Sequence, residues 1–65
     1  MEPYQQRVVD EKKELDERLE KLWRFMDTPR FVELMVDECI MMRIQARVMK
    51  HYSDILGERI EAFVE

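Results

Sequence analysis

Apolar residues recur along the first part of the chain at the spacing of an amphipathic helix. Over residues 4–26 they form a narrow stripe with Trp23 and Phe25 at its two margins. The stripe consists of Val8, Leu15, Leu19, Leu22 and Met26. Pro3 suits the first turn, because the N–H that proline lacks would have no partner there. The pattern predicts a first helix over 4–26, about 35 Å long at 1.5 Å per residue.

The segment "DTPRF", residues 27–31, interrupts this pattern. Thr28 before Pro29 predicts an N-cap followed by a proline at the first helical position. A short helical turn is expected over Pro29–Met35, and Asp37 is the expected cap of the last helix. The segment therefore predicts a helical connector between two long helices.

Residues 38–64 predict a second long helix of about 40 Å. Its apolar positions sweep roughly 160° of the helix surface, which is more than one partner helix can cover. They are Met41, Ile44, Val48, Met49, Tyr52, Ile55, Leu56, Ile60 and Phe63. Half of this face is expected to pack on the first helix, and the other half on another chain. Arg59 falls within the face, and a buried guanidinium there requires an anionic partner.

The length of 65 residues favours a single domain, residues 1–65, that needs help to bury enough surface. Cys39 is the only cysteine, so a disulfide within the chain is excluded, and together with the only histidine, His51, it makes no metal ligand set. We therefore expect neither metal nor cofactor, and self-association as the source of further burial. The predicted fold class is all-α: an antiparallel helical hairpin with a short helical connector, assembled as a compact homo-oligomer.

Charged residues interrupt every apolar segment, so the sequence predicts no membrane-spanning helix and no signal peptide, and a cytoplasmic setting is expected. The net charge of −4 argues against binding of long nucleic acid. A small anion is still compatible with local clusters of basic residues. One such cluster lies between Glu38 and Asp54, where there is no acid. It contains Arg43, Arg47, Lys50 and His51.

One flank of the first helix carries charged residues one turn apart, and Tyr4 lies one turn ahead of them. They are Arg7, Glu11, Glu14, Arg18 and Lys21. An aromatic ring that stacks on a base and a guanidinium that pairs with phosphate are the groups that nucleotide binding requires. Ion pairs along the helix surface explain the same spacing, and on spacing alone they are favoured.

Catalysis finds little support in the sequence. There is no glycine-rich phosphate loop and no H-E-x-x-H pattern. His51 has no cysteine or serine beside it in the spacing of a known nucleophile family, and a packing or solvated role is favoured for it. We therefore expect a protein that is not an enzyme.

Two stretches that span most of the chain, "YQQRVVDEKKELDERLEKLWRFMDTPRF" and "ARVMKHYSDILGERIEAF", resemble a family of small phage proteins. These crAss-phage-related helical proteins act as anti-CBASS sponges. CBASS is a bacterial defence in which a nucleotidyltransferase makes cyclic oligonucleotides that activate a killing effector. The resemblance implies a protein of the infected host's cytoplasm that sequesters this signal without degrading it.

The resemblance also implies an assembly and its sites. It implies a compact helical hexamer with cyclic dinucleotides, such as cyclic GMP-AMP, bound between protomers. Tyr4 is expected to stack on a base there, with Arg18, Lys21 and Arg7 beside the phosphates. Cyclic trinucleotides, such as cyclic tri-AMP, are expected in separate pockets that contain Arg59, the arginine of "ILGERI".

Two alternatives remain open on the residues alone. A small helical oligomer could instead inhibit a host protein by direct contact through its apolar face. Arg59 could likewise be met by a carboxylate across the hairpin or across a subunit interface, rather than by phosphate.

Overall fold

The computed structural model describes residues 1–63, which form a long helix, a short helix and a second long helix, with no strand among them. Helix α1 spans Pro3–Met26, α2 spans Pro29–Val32 and α3 spans Val36–Glu61. The long helices are antiparallel, because Tyr4 at the start of α1 meets Phe63 just beyond α3. The hairpin measures 49 × 15 × 13 Å. The all-α hairpin with a helical connector is confirmed, whereas the oligomer stays a prediction.

The prolines lie where the sequence predicts them. Pro3 begins α1 and Pro29 begins α2, where the missing N–H costs nothing. Thr28 occupies the N-cap position of α2, as predicted, but its side chain makes no capping hydrogen bond. Its hydroxyl instead donates to the carbonyl oxygen of Phe25 at 2.6 Å, which ties the connector to the last turn of α1.

The predicted cap of the last helix is wrong. Met35 is the N-cap of α3, and Asp37 lies inside the first turn together with Glu38. A carboxylate in the first turn still stabilises the helix, because it faces the positive end of the helix dipole. The connector helix is also shorter than predicted, since α2 ends at Val32.

Helix α3 ends earlier than the sequence pattern predicts. Its last residue is Glu61, and the predicted end at residue 64 lies outside the described residues. The N–H of Ala62 is shared between two carbonyl oxygens, and the N–H of Phe63 donates to Ile60 only three residues back. The helix therefore tightens and stops, which places the ring of Phe63 against Tyr4.

The core confirms the stripe of α1 and divides the apolar face of α3. Leu56 is 1% exposed and packs with Val8 and Leu15. Full burial of such a side chain stabilises by about 1.5–3 kcal/mol. The partly buried residues around them are Met49, Ile60 and Phe63. The other half of the apolar face of α3 is exposed; we call it the outer face, and it consists of Met41, Ile44, Val48, Tyr52 and Ile55.

The connector is held by the buried ring of Phe31. Phe25 packs against it edge to face with ring centroids 6.2 Å apart, and the guanidinium of Arg43 lies 5.4 Å above it. The thiol of Cys39 donates to the carbonyl oxygen of Phe31 at 3.2 Å. Cys39 is therefore more than the small apolar residue that its type suggests, because its thiol adds a second hydrogen bond to a carbonyl that already accepts from the N–H of Leu34.

Candidate functional site

A polar network joins the two long helices at mid-length. Ser53 is 3% exposed, and its hydroxyl donates to Asp16 and accepts from the ammonium of Lys12 at 2.9 Å. Lys12 also donates to Asp16 at 2.8 Å, so the three groups close a ring of hydrogen bonds. Because a buried hydroxyl is costly without partners, this ring fixes the axial register of α1 against α3. The sequence signal for it was the four-residue spacing of Lys12 and Asp16.

The network also sets the ionisation of its carboxylate. The hydrogen bond from Lys12, followed by the one from Ser53, lowers the pKa of Asp16 below its ordinary value of 3.8. On the neighbouring surface, the hydrogen bond to Asp54 raises the pKa of Lys50 above its ordinary value of 10.5. Both lysines are therefore engaged by acids within the protomer.

Gly57 makes room for this network. A Cβ atom at this position would lie 3.3 Å from the Cε atom of Lys12. The stem of Lys12 therefore lies close over α3 on its way to Ser53, and the only glycine of the chain stands beneath it.

A shallow groove of about 520 Å³ runs along this side of the hairpin, with the half-exposed ring of Trp23 at one end. Its cations, Lys12 and Lys50, each form an ion pair of 2.8 Å or less with an acid. The lining residues are Lys12, Asp16, Leu19, Glu20, Trp23, Lys50 and Ser53. The charges of the groove thus balance within one protomer, and it offers no excess of positive charge to a phosphate.

Tyr4 and Arg7 lie at the open end of the hairpin. Tyr4 is 49% exposed, and its ring meets Phe63 nearly at right angles with centroids 5.9 Å apart. Arg7 is exposed one turn further along α1. Phe63 thereby holds the tyrosine ring in place while part of its surface stays accessible.

Arg18 and Lys21 are exposed as well, but a single protomer does not bring them to Tyr4. All three lie on the one continuous helix α1, and Tyr4 and Arg18 are 14 residues apart. At 1.5 Å per residue this separates them by about 21 Å. One chain therefore does not present both residues to the same small ligand.

Arg59 is exposed, so its predicted burial within the apolar face does not occur in the protomer. The buried line of α3 runs through Ala46, Ser53 and Leu56, whereas Arg59 follows Tyr52 and Ile55 on the outer side. Helix α1 packs along the edge of the apolar face of α3, where the small residues Ala46 and Ser53 allow close contact. The positions of the large apolar residues alone predict packing at the centre of that face.

Within residues 1–63 there is no group of three metal-ligating side chains of the His, Cys, Asp or Glu type. None of the described helices has the length and apolar character needed to cross a membrane.

The sequence model of the Sequestin family matches residues 2–62. The chain belongs to the Sequestin family. The Sequestin name indicates a protein that sequesters a ligand, which agrees with the sponge function implied by the sequence at this coarser level. All the predicted ligand-binding residues lie inside the Sequestin match. Comparison with curated proteins and with solved structures gives no match.

Proposed function

We propose that the protein is a phage sponge that binds cyclic oligonucleotide signals of CBASS and withholds them from their effector without cleaving them. Membership of the Sequestin family over residues 2–62 carries this proposal. The ligands would be cyclic dinucleotides such as cyclic GMP-AMP and cyclic trinucleotides such as cyclic tri-AMP. The protein would act in the cytoplasm of the infected bacterium.

The dinucleotide pocket would form between protomers. Tyr4 of one protomer stacks on a base, and Arg18 of another pairs with phosphate, with Lys21 and Arg7 in support. The separation of about 21 Å along α1 supports this division between chains. The exposure of all four side chains supports it as well, since even Tyr4, which packs against Phe63, keeps about half of its surface accessible.

The trinucleotide pocket would contain Arg59. An arginine guanidinium is a cation with five N–H donors, so copies gathered around a symmetry axis require an anion. A ring with one phosphate per base supplies that anion to each copy. The exposed position of Arg59 in the protomer supports this role.

A second function is favoured by the outer face of α3. Five apolar side chains there are exposed, and such a face is typical of a protein–protein contact. A helical oligomer that inhibits a host protein by direct contact is therefore the alternative to the sponge.

One experiment separates these functions. The purified protein is mixed with an equimolar cyclic dinucleotide, unbound ligand is removed by filtration, and the retained fraction is heated and analysed by chromatography. A sponge releases intact cyclic dinucleotide on heating. An enzyme yields a linear product in the filtrate or in the retained fraction, so both fractions are analysed. A protein that acts only on a host partner leaves the intact nucleotide in the filtrate.

The matched variants are Arg18→Ala and Arg24→Ala. Both remove an exposed arginine from α1, but Arg24 is paired with Glu20 at 2.6 Å and lies on another flank. Retention of the dinucleotide is expected to fall with Arg18→Ala and to stay unchanged with Arg24→Ala. A linear dinucleotide with the same bases tests whether the closed ring is recognised.

A further inference from the structure

The outer face of α3 has the same pattern in both chain directions about Val48. Four residues away on either side lie Ile44 and Tyr52, and seven residues away lie Met41 and Ile55. These separations keep all five side chains in one stripe of a helix. Each of them is between 39% and 61% exposed in the protomer.

The charges continue this symmetry with opposite sign. Eleven residues before Val48 stands Asp37, and eleven residues after it stands Arg59. Both lie within α3 and both are exposed. Neither forms an ion pair with another residue of the described part of the chain.

We propose that a second copy of this chain docks on the outer face, with α3 antiparallel to α3 about a two-fold axis at Val48. Val48 then packs on its own copy, Ile44 on the partner's Tyr52, and Met41 on the partner's Ile55. Asp37 pairs with the partner's Arg59, and the symmetry repeats that ion pair at the other end.

The charge pattern selects this occupant and this direction. In a parallel pair, Asp37 would face its own copy and Arg59 would face its own copy, and both contacts would be repulsive. In the antiparallel pair both contacts are attractive, and the helix dipoles are opposed. A partner of unrelated sequence would require neither the symmetric spacing nor the opposite end charges.

The size of the surface places this pair inside a larger assembly. From Asp37 to Arg59 the contact is about 33 Å long and about one helix diameter, 10 Å, wide. The resulting contact area, roughly 330 Å² per protomer, is smaller than the roughly 800 Å² per partner of a typical stable complex. The pair therefore needs further contacts between hairpins, and the interface rests on the proposed oligomer in this respect.

The pairing also supplies the anion that Arg59 requires. The guanidinium is buried against a second protomer and meets a carboxylate there, as a desolvated charge must. In the ligand-free assembly the partner's Asp37 thereby occupies the guanidinium that the proposed trinucleotide pocket gives to phosphate, so a bound trinucleotide and this ion pair compete for Arg59. Phosphate and carboxylate roles of Arg59 are separated by measuring assembly without ligand.

The test is charge reversal in the full chain, with self-association followed by sedimentation in the absence of nucleotide. Asp37→Arg and Arg59→Asp are each expected to weaken self-association at least ten-fold, because each places like charges face to face. The double variant is expected to return to within about three-fold of the original. Glu61→Arg, an exposed reversal on the other side of α3, is the matched control and is expected to change little.

Recovery of self-association in the double variant would be due to the restored ion pair and not to a change in the stability of α3. Both reversals oppose the helix dipole, at the first and the last turn, and the double variant carries both penalties. Single variants that assemble like the original chain overturn the proposal. A double variant that assembles no better than the weaker single variant overturns it as well.

A cross-linking measurement keeps the proposal testable if a reversal prevents folding. In a Cys39→Ser background, Val48→Cys is expected to form disulfide-linked dimers on mild oxidation, since residue 48 meets its own copy at the axis. Absence of that dimer contradicts the two-fold axis. Lys13→Cys, on the exposed surface of α1, is the control for random collision.

Nucleotide retention is measured separately on the same proteins. If assembly obeys the charge rules but no nucleotide is retained, the interface stands and the sponge function fails. If nucleotide is retained and neither Asp37→Arg nor Arg59→Asp weakens self-association, the sponge function stands and this interface fails.

Discussion

The hydroxyl of Ser53 on α3 donates a hydrogen bond to the carboxylate of Asp16 on α1, and the ammonium of Lys12 bonds to both. This ring is the polar link between two helices that otherwise meet through apolar side chains.

The first consequence of this ring of hydrogen bonds concerns the stability of the hairpin. Ser53→Ala is expected to lower the free energy of unfolding by about 1 kcal/mol, because Lys12 and Asp16 both lose their hydrogen bond to the buried hydroxyl. The loss stays at this size because both charged groups remain partly hydrated. Urea denaturation at one fixed protein concentration measures the change.

The matched control for that loss is Asp54→Ala. Asp54 accepts a hydrogen bond from Lys50 at 2.6 Å, but both side chains are more than half exposed. An exposed pair of this kind contributes little, so the variant is expected to stay within about 0.5 kcal/mol of the original. An equal loss in both variants would contradict the structural role of Ser53.

The lowered pKa of Asp16 predicts the direction of a pH effect. Because the folded pKa lies below the unfolded one, the carboxylate stabilises the fold above its ordinary pKa of 3.8. That contribution is lost as the pH falls through the folded pKa. Asp16→Asn is therefore expected to flatten the fall in the free energy of unfolding below about pH 4. Denaturation curves at a series of acidic pH values check this, and parallel profiles would count against the prediction.

Gly57 tests how tightly Lys12 lies on α3. Gly57→Ala is expected to raise the free energy of unfolding by up to about 1 kcal/mol through helix propensity. The gain is reduced because the added Cβ atom, 3.3 Å from the Cε atom of Lys12, must displace that side chain. In a Lys12→Ala background the gain is expected to be larger, because no other atom of the described residues then lies within 4 Å of the added Cβ atom. A double-mutant cycle measured by thermal unfolding gives the difference directly. Equal gains in both backgrounds would show that the contact has no energetic effect.

Leu56 and Ile55 are neighbours in sequence with different expected roles. Leu56 is 1% exposed in the protomer, so Leu56→Ala is expected to lower the free energy of unfolding by ~2–5 kcal/mol. Ile55 lies on the outer face, so Ile55→Ala is expected to weaken self-association while the helix content at high protein concentration is kept. Circular dichroism and sedimentation on both variants distinguish the two outcomes. Identical behaviour would mean that the outer face is not an interface.

Ligand affinity tests the open end of the hairpin. Tyr4→Ala and Arg18→Ala are each expected to lose about 1–3 kcal/mol of cyclic dinucleotide affinity with the assembly intact, through lost stacking and a lost phosphate contact. Titration calorimetry measures this, with Arg24→Ala as the control. Unchanged affinity in both variants would move the pocket elsewhere, first to the acid-free flank with Arg43 and Arg47.

The sequence predicted the parts of this fold that depend on local pattern. The stripe through Val8, Leu15 and Leu19 was readable because large apolar residues at helical spacing have one natural face. Pro3 and Pro29 were equally readable, since their backbone chemistry restricts where a helix can begin.

Other features depend on which arc of α3 the first helix covers, and local pattern does not contain that information. Ala46 and Ser53 are buried because they are small, so they were not among the predicted apolar positions. Arg59 is exposed because the buried face of α3 follows Ala46, Ser53 and Leu56, and Arg59 lies on the opposite flank of Leu56, beside the outer face. Asp37 was a reasonable cap by residue type, but the helix begins two residues earlier than the prediction, at Val36. The ligand-binding roles of Tyr4, Arg7, Arg18, Lys21 and Arg59 stay predictions.

The cross-section of the hairpin, 15 × 13 Å, has a consequence for dosage. A body that is two helices wide has no interior in which to enclose a nucleotide, so capture between copies depends on how many copies meet. Below the concentration at which copies associate, additional protein captures almost nothing, and above it each added copy completes a site. For the proposed sponge, the protective effect in an infected cell would therefore rise with a threshold in expression level, and early, abundant synthesis would matter more than the affinity of any single site.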